Sequence, residues 1–255
     1  MSGPGARRAD GLARAGRGTR TPAWASRRRT AADAKPTNGG PNPLGPATLL
    51  VIAKEPVPGR VKTRLAPDFS PEAAAELAAA ALADTLDAVL AAPAHRRVLV
   101  LSGDTGAWLP ERGFEIVPQA EGGLDERLAA AFADCSGPTL LIGMDTPQVT
   151  PALLAPALET TACEKADAWF GPADDGGFWA LGLAEPDPHL LRGVPMSTPR
   201  TGEIQRRRLV DAGLRVRDLD TLVDVDTAAT AARVAHTAPH GRFAAAWRRR
   251  RPEEG

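Results

Sequence analysis

Short apolar runs alternate along this chain with longer Ala/Leu-rich stretches of helical spacing. Thr48–Ala53 (TLLVIA), Arg97–Leu101 (RVLVL), Phe114–Val117 and Thr139–Gly143 (TLLIG) read as strands. The first has no polar break, as a strand buried on both faces requires. Ala168–Gly171 and Phe178–Leu183 add two more, the second opening after a glycine pair. Ser70-Pro71-Glu72 starts a helix running to about Ala92, with Ser as N-cap and Pro in the first turn. Further helices are expected over Leu124–Ala133, from Thr150-Pro151 onward, near Gly202–Ala212 and over Thr227–Ala238. This alternation predicts an α/β fold, a mainly parallel sheet covered on both faces.

Charge divides the chain in three. Residues 1–45 carry nine Lys/Arg against two Asp and almost no large apolar residue, and are expected to be a disordered basic extension. Residues 46–240 hold 17 bases against 27 acids and form the expected domain. Residues 241–255, with five Arg and two Glu, read as a basic C-terminal tail. An acidic body argues against a broad nucleic-acid surface. No apolar run suits a membrane span and no apolar stretch follows the Arg-rich start as in a secretory signal, so a cytoplasmic location is expected. Cys135 and Cys163 lack the spacing of a zinc or disulfide framework.

In parallel sheets the ligand lies beyond the carboxyl ends of the strands, which directs attention to the loops after the first and fourth. The first, Lys54–Arg64, packs Lys54, Arg60, Lys62 and Arg64 with two prolines and Gly59 into eleven residues. Such cations offer charge-assisted bonds to phosphate, and Thr63 stands among them. It is neither a Walker loop, since Val61 and Pro56 stand where glycines are needed, nor a GxGxxG fingerprint. The fourth strand leads into Gly143-Met144-Asp145-Thr146-Pro147, where Asp145 reads equally as a turn cap or as a carboxylate for Mg²⁺ bridging phosphates. In Asp224-Val225-Asp226-Thr227, alternation puts at most one aspartate in the pocket, and Asp226 reads also as a helix cap. Asp174-Asp175-Gly176-Gly177 suits a tight turn, or a close approach to a ligand with one Asp binding sugar hydroxyls or serving as base. Arg127, in Gly122–Arg127, is a weaker candidate for nucleotide contact. The four histidines are scattered, and Ser102-Gly103-Asp104 is no nucleophile elbow.

Taken in order, IAKEPVPGRVKTRLAP, GMDTPQ, GPADDGGFWALGL and DVDT resemble the DUF2064 proteins over roughly residues 47–235. That resemblance implies a three-layer α/β/α, GT-A-like (Rossmann-like) nucleotide-diphospho-sugar transferase fold, with glycosyltransferases linked to arsenosugar biosynthesis among its members. The Lys-x-Arg-Leu loop is similar to that of phospholactate guanylyltransferases, and the late Asp-Thr to the second metal aspartate of sugar cytidylyl- and thymidylyltransferases. The resemblance puts Lys54, Gly59, Arg60, Lys62 and Arg64 on the phosphate loop, and Asp145 and Asp226 on a Mg²⁺ or Mn²⁺. It matches Asp175, Gly176 and Gly177 to the family's Asp-Gly-Gly, for donor or acceptor. Asp145, Asp175 and Lys62 become the catalytic candidates. The partners it implies are a nucleotide sugar or an NTP and a small-molecule acceptor. Two departures stand out: Phe178 replaces an expected Tyr, and Pro195-Met196-Ser197-Thr198 lacks the Trp expected before Ser-Thr. A non-catalytic nucleotide-binding protein is the rival of another class.

Overall fold

A computed structural model describes residues 47–250 apart from Pro67. The expected disordered extension over residues 1–45 lies outside the described residues. Seven strands form one sheet in the order β3-β2-β1-β4-β6-β5-β7. They are β1 (Thr48–Lys54), β2 (Arg96–Ser102), β3 (Glu115–Pro118), β4 (Thr139–Ile142), β5 (Ala168–Pro172), β6 (Phe178–Leu183) and β7 (Val216–Asp218). β1 pairs in parallel with β2 and β4, and only β6 runs against its neighbours β4 and β5.

Alternation along β1 explains the three layers. Leu49 and Val51 face a core shared with α1 (Pro71–Ala91), α3 (Pro151–Leu158) and the short α4 (Ala162–Lys165). Leu50 faces the opposite core, with Leu128 and Phe132 of α2 (Leu124–Ala133) and Leu209 of α5 (Thr201–Asp211). Burial on both faces is what an unbroken apolar strand implies, so β1 sits mid-sheet with its C-terminal end at the mouth of the fold.

The expected helix starts hold in detail. Ser70 Oγ accepts from Ala73 N at 3.2 Å and Thr150 Oγ1 from Leu153 N at 3.3 Å, each with proline in the first turn. β7 went unread because it is a three-residue, largely exposed edge strand without an apolar run. Its approach is fixed by Arg215, whose guanidinium grips Asp167 and holds that carboxyl down to about 2.

The expected tail requires correction. Arg242–Arg250 form helix α7, which together with α6 (Ala228–Thr237) packs on α1 in a third apolar cluster. Charge count alone hid its apolar face, Phe243, Ala244 and Ala246, and Trp247 stacks against Phe69 with ring centroids 5.3 Å apart. Residues 251–255 lie outside the described residues. α7 begins on a carboxylate lent by α1: Asp84 accepts from Arg242 N at 2.9 Å and Phe243 N at 2.8 Å. Helix N-termini leave N–H groups without intrahelical partners, and a carboxylate there both accepts from them and suits the helix dipole. Asp84→Ala is therefore expected to cost about 1 kcal/mol of stability, read as a lower urea midpoint and as faster proteolysis near Gly241. Among the described residues, no helix is long and apolar enough to cross a membrane.

Candidate functional site

A pocket of about 760 Å³ opens at the carboxyl ends of β1 and β4 and extends to the loop before α5. Its lining takes in Lys54, Arg60, Lys62, Thr63 and Arg64 of the first loop, Arg127 of α2, and Asp145, Asp175, Asp224 and Asp226.

The first loop turns tightly, with Arg60 N donating to Val57 O at 3.0 Å and Gly59 at φ +75°. Lys62 then takes a left-handed conformation, φ 50°, rare for a residue with a Cβ. This directs its side chain inward, and only 5% of it is exposed. The ammonium lies 2.6 Å from Asp145 Oδ1 and 3.7 Å from Asp226 Oδ1, and donates to Val225 O. Arg64 Nη1 reaches Asp226 Oδ2 at 3.0 Å from the solvent side. Lys54 and Arg60 have exposed positions and no ion pair among the described residues.

The alternatives left open by the residues now separate. Asp226 does not cap α6: Thr227 Oγ1 does, accepting from Thr230 N at 3.2 Å, so the Asp226 carboxylate is left to Lys62 and Arg64. Asp145 faces Lys62 rather than a turn amide, and its backbone oxygen accepts from Val225 N at 2.9 Å, tying β4 to the 224–226 segment. The expectation that only one of Asp224 and Asp226 faces the pocket fails, since both line it. That segment is irregular rather than a strand, so strict alternation does not apply.

Asp174 also departs from expectation. Its carboxylate is bound to Arg233 of α6 at 2.8 Å and is absent from the lining, whereas Asp175 faces the pocket and accepts from Gly177 N at 2.8 Å. Gly59 and Gly176 likewise shape the walls without lining them. Gly176, at φ +89°, lies against Pro199, whose oxygen would stand 2.0 Å from an added Cβ. Gly202 N donates to Gly176 O at 2.8 Å, so this turn holds the far wall, Met196–Thr201, in place. Gly176→Ala combines backbone strain with a backbone clash and is expected to cost about 2 kcal/mol or more. Urea unfolding with an unchanged slope and a lower midpoint is the check. Ser197, at φ 58°, lies in that same wall, so both non-glycine residues with positive φ among those described belong to the pocket.

Sequence reasoning missed Gln119, and it gave a role to Asp226 while leaving Asp224 without one. Gln119, just after β3, gives both bonds of its Nε2 to the carbonyls of Ala53 and Val100, which fixes its oxygen to the opposite side. Asp224 is the electrostatic outlier. Burial first, then Asp145 and Asp175, push its carboxyl up to about 7, Lys62 opposing and Asp226 adding to the rise. Asp145 and Asp226 thus share one buried lysine, and Asp224 lies within the field of all three. Among the described residues, no three His, Cys, Asp or Glu side chains close into a metal cage. Asp145 and Asp226 flank a single cation-sized point with hard oxygens, which suits Mg²⁺ or Mn²⁺ if water and phosphate supply the remaining ligands.

A family model, DUF2064, for uncharacterized proteins conserved in bacteria, matches residues 85–198. That span is narrower than the 47–235 of the sequence resemblance and excludes both the first loop and DVDT. No curated protein matches the chain. Among solved structures, a candidate nucleotide-diphospho-sugar transferase from Desulfovibrio desulfuricans G20 is 26% identical, with a TM-score of 0.71. The match covers 80% of this chain and 94% of that one. A CMP:2-keto-3-deoxy-manno-octonic acid synthetase complexed with CTP shares the fold at 11% identity, with a TM-score of 0.50 over 76% of this chain and 98% of that one. The chain thus carries a match to the DUF2064 model over residues 85–198 and a fold similar to that of the Desulfovibrio desulfuricans G20 nucleotide-diphospho-sugar transferase candidate.

Proposed function

We propose that this chain is a metal-dependent glycosyltransferase that moves a sugar from a nucleotide-sugar donor to a small-molecule acceptor. The observation that carries it is the make-up of the pocket, whose lining brings Lys54, Arg60, Lys62, Thr63, Arg64 and Arg127 together with Asp145, Asp226, Asp175, Phe178 and Thr198. Cations suit a diphosphate, and a carboxylate beside an aromatic ring suits sugar hydroxyls. The similarity to the Desulfovibrio desulfuricans G20 protein, whose name specifies a nucleotide-diphospho-sugar, supports the same reading.

In transfer, the bond between the sugar carbon and the diphosphate oxygen breaks, and the acceptor hydroxyl bonds to that carbon as its proton departs. Lys62, Arg60 and Arg64 receive the negative charge gathering on the departing diphosphate. Charges already turned to the diphosphate when transfer begins need no rearrangement in the step, which is what makes them effective. In the chain without nucleotide, Asp145 and Asp226 hold the Lys62 ammonium within the phosphate pocket. Asp175, on the pocket surface, serves as proton acceptor or hydroxyl ligand. A divalent ion on Asp145 and Asp226 would add Lewis-acid neutralisation of the diphosphate.

The second reading, nucleotidyl transfer from an NTP to a phosphorylated acceptor with release of pyrophosphate, draws on the number of cations, which would accommodate a third phosphate. The test incubates pure protein with Mg²⁺ or Mn²⁺, cell extract as acceptor source, and either sugar nucleotides or NTPs. Free nucleoside diphosphate from a sugar nucleotide is the expected product. Pyrophosphate from an NTP would instead establish nucleotidyl transfer.

A further inference from the structure

Asp145 and Asp226, the carboxylates suited to a divalent ion, are already bridged by a cation that belongs to the chain. Lys62 Nζ sits 2.6 Å from one and 3.7 Å from the other, with Val225 O as a third partner. The left-handed backbone at Lys62 sets this arrangement locally, so the ammonium is placed by the loop rather than by chance contact. Its side chain is nearly enclosed, whereas those of Asp145 and Asp226 remain 42% and 34% exposed. A divalent ion approaching from the pocket therefore meets accessible carboxylates whose shared inner space holds a like charge.

We infer that Lys62 is the resident counter-ion of the metal carboxylates, and that it makes divalent-ion binding weak until a phosphate group draws the ammonium away. The inference rests on the reading of Asp145 and Asp226 as metal ligands. Two features of the structure support the exchange. The carboxylates of Asp145 and Asp226 stay 42% and 34% exposed, so a cation arriving from solvent still reaches them with Lys62 in place. The ammonium lines the same pocket as Arg60 and Arg64, so a phosphate held by those guanidiniums lies within the reach of a lysine side chain. Once Nζ turns to phosphate, its place between the carboxylates is free, and nucleotide and metal become mutually dependent ligands.

The experiment measures Mn²⁺ binding without nucleotide, by the loss of the free-ion electron paramagnetic resonance signal. It compares the wild type, Lys62→Met and the pair Asp145→Asn/Asp226→Asn. Removing the like charge is expected to tighten Mn²⁺ binding by about tenfold in Lys62→Met, while the doubly substituted chain loses it. Equal Mn²⁺ affinity in wild type and Lys62→Met, with loss in the double variant, would overturn the inference and leave the metal site standing. Unchanged binding in the double variant would overturn the metal reading itself. Should Lys62→Met fail to fold, acetylation of the wild-type chain followed by mass spectrometry gives the answer. Lys62 is expected to react more slowly than exposed Lys54 without metal and faster once Mg²⁺ alone is saturating. A Lys62 rate indifferent to Mg²⁺ would refute the exchange.

Discussion

Asp145→Asn is expected to lower turnover by about 10²–10³ while barely moving the melting temperature. The substitution keeps the shape of the side chain and removes only its charge. That charge lies 2.6 Å from Lys62 Nζ, at the end of β4, and its carboxylate is 42% exposed. Exposure limits the stability loss, because water solvates the asparagine amide and Lys62 keeps Val225 O and Asp226. Catalysis has no such reserve. The site would lose one of the two carboxylates facing a cation, so the departing diphosphate would meet less positive charge. Steady-state rates beside a thermal melt check this. An unimpaired rate would show that Asp145 takes no part in the transfer, and a collapsed melt would show that its role is structural.

How much of this was readable beforehand depends on whether a residue's role is set locally. β1 needed only its unbroken apolar run, and α1 and α3 only their Ser-Pro and Thr-Pro starts, since these signals act through neighbours in sequence. The first loop was legible for the same reason: its cations and its position after a buried strand are both local. The aspartates were not. Asp226 stands beside Thr227, and either could have capped α6; the choice of Thr227 is visible only once Arg64, 162 residues earlier, reaches Asp226. Asp174 and Asp175 are adjacent and alike in composition, yet Arg233 takes one and the pocket the other. α7 was obscured by its four arginines in nine residues, although Glu76 accepts from Arg249 and Arg250 and relieves their charge. Long-range pairing decided each of these cases.

Asp224→Asn is expected to raise stability at pH 8 and to leave it nearly unchanged at pH 4. The Asp224 carboxyl sits at about 7 in the folded chain against an ordinary value of 3.8, through burial and the charges of Asp145, Asp175 and Asp226, partly offset by Lys62. Between those values the folded chain keeps a proton that the unfolded chain has released. The folded state therefore binds more protons, and stability falls as pH rises from about 4 to 7. The largest gain from removing the carboxylate is about 4 kcal/mol, reached above pH 7, and partial access to water lowers it. Asparagine resembles the protonated acid in shape and charge, so the variant should lose this descent without losing packing. Urea unfolding of both chains across that range, with chelator present, measures it. Parallel slopes would mean that Asp224 ionises freely in the folded protein and that the pocket tolerates its charge beside those of Asp145, Asp175 and Asp226. A flattened slope would mean that the fold gives up stability at neutral pH to keep excess carboxylate where cations bind, a local cost typical of sites shaped by function rather than by folding.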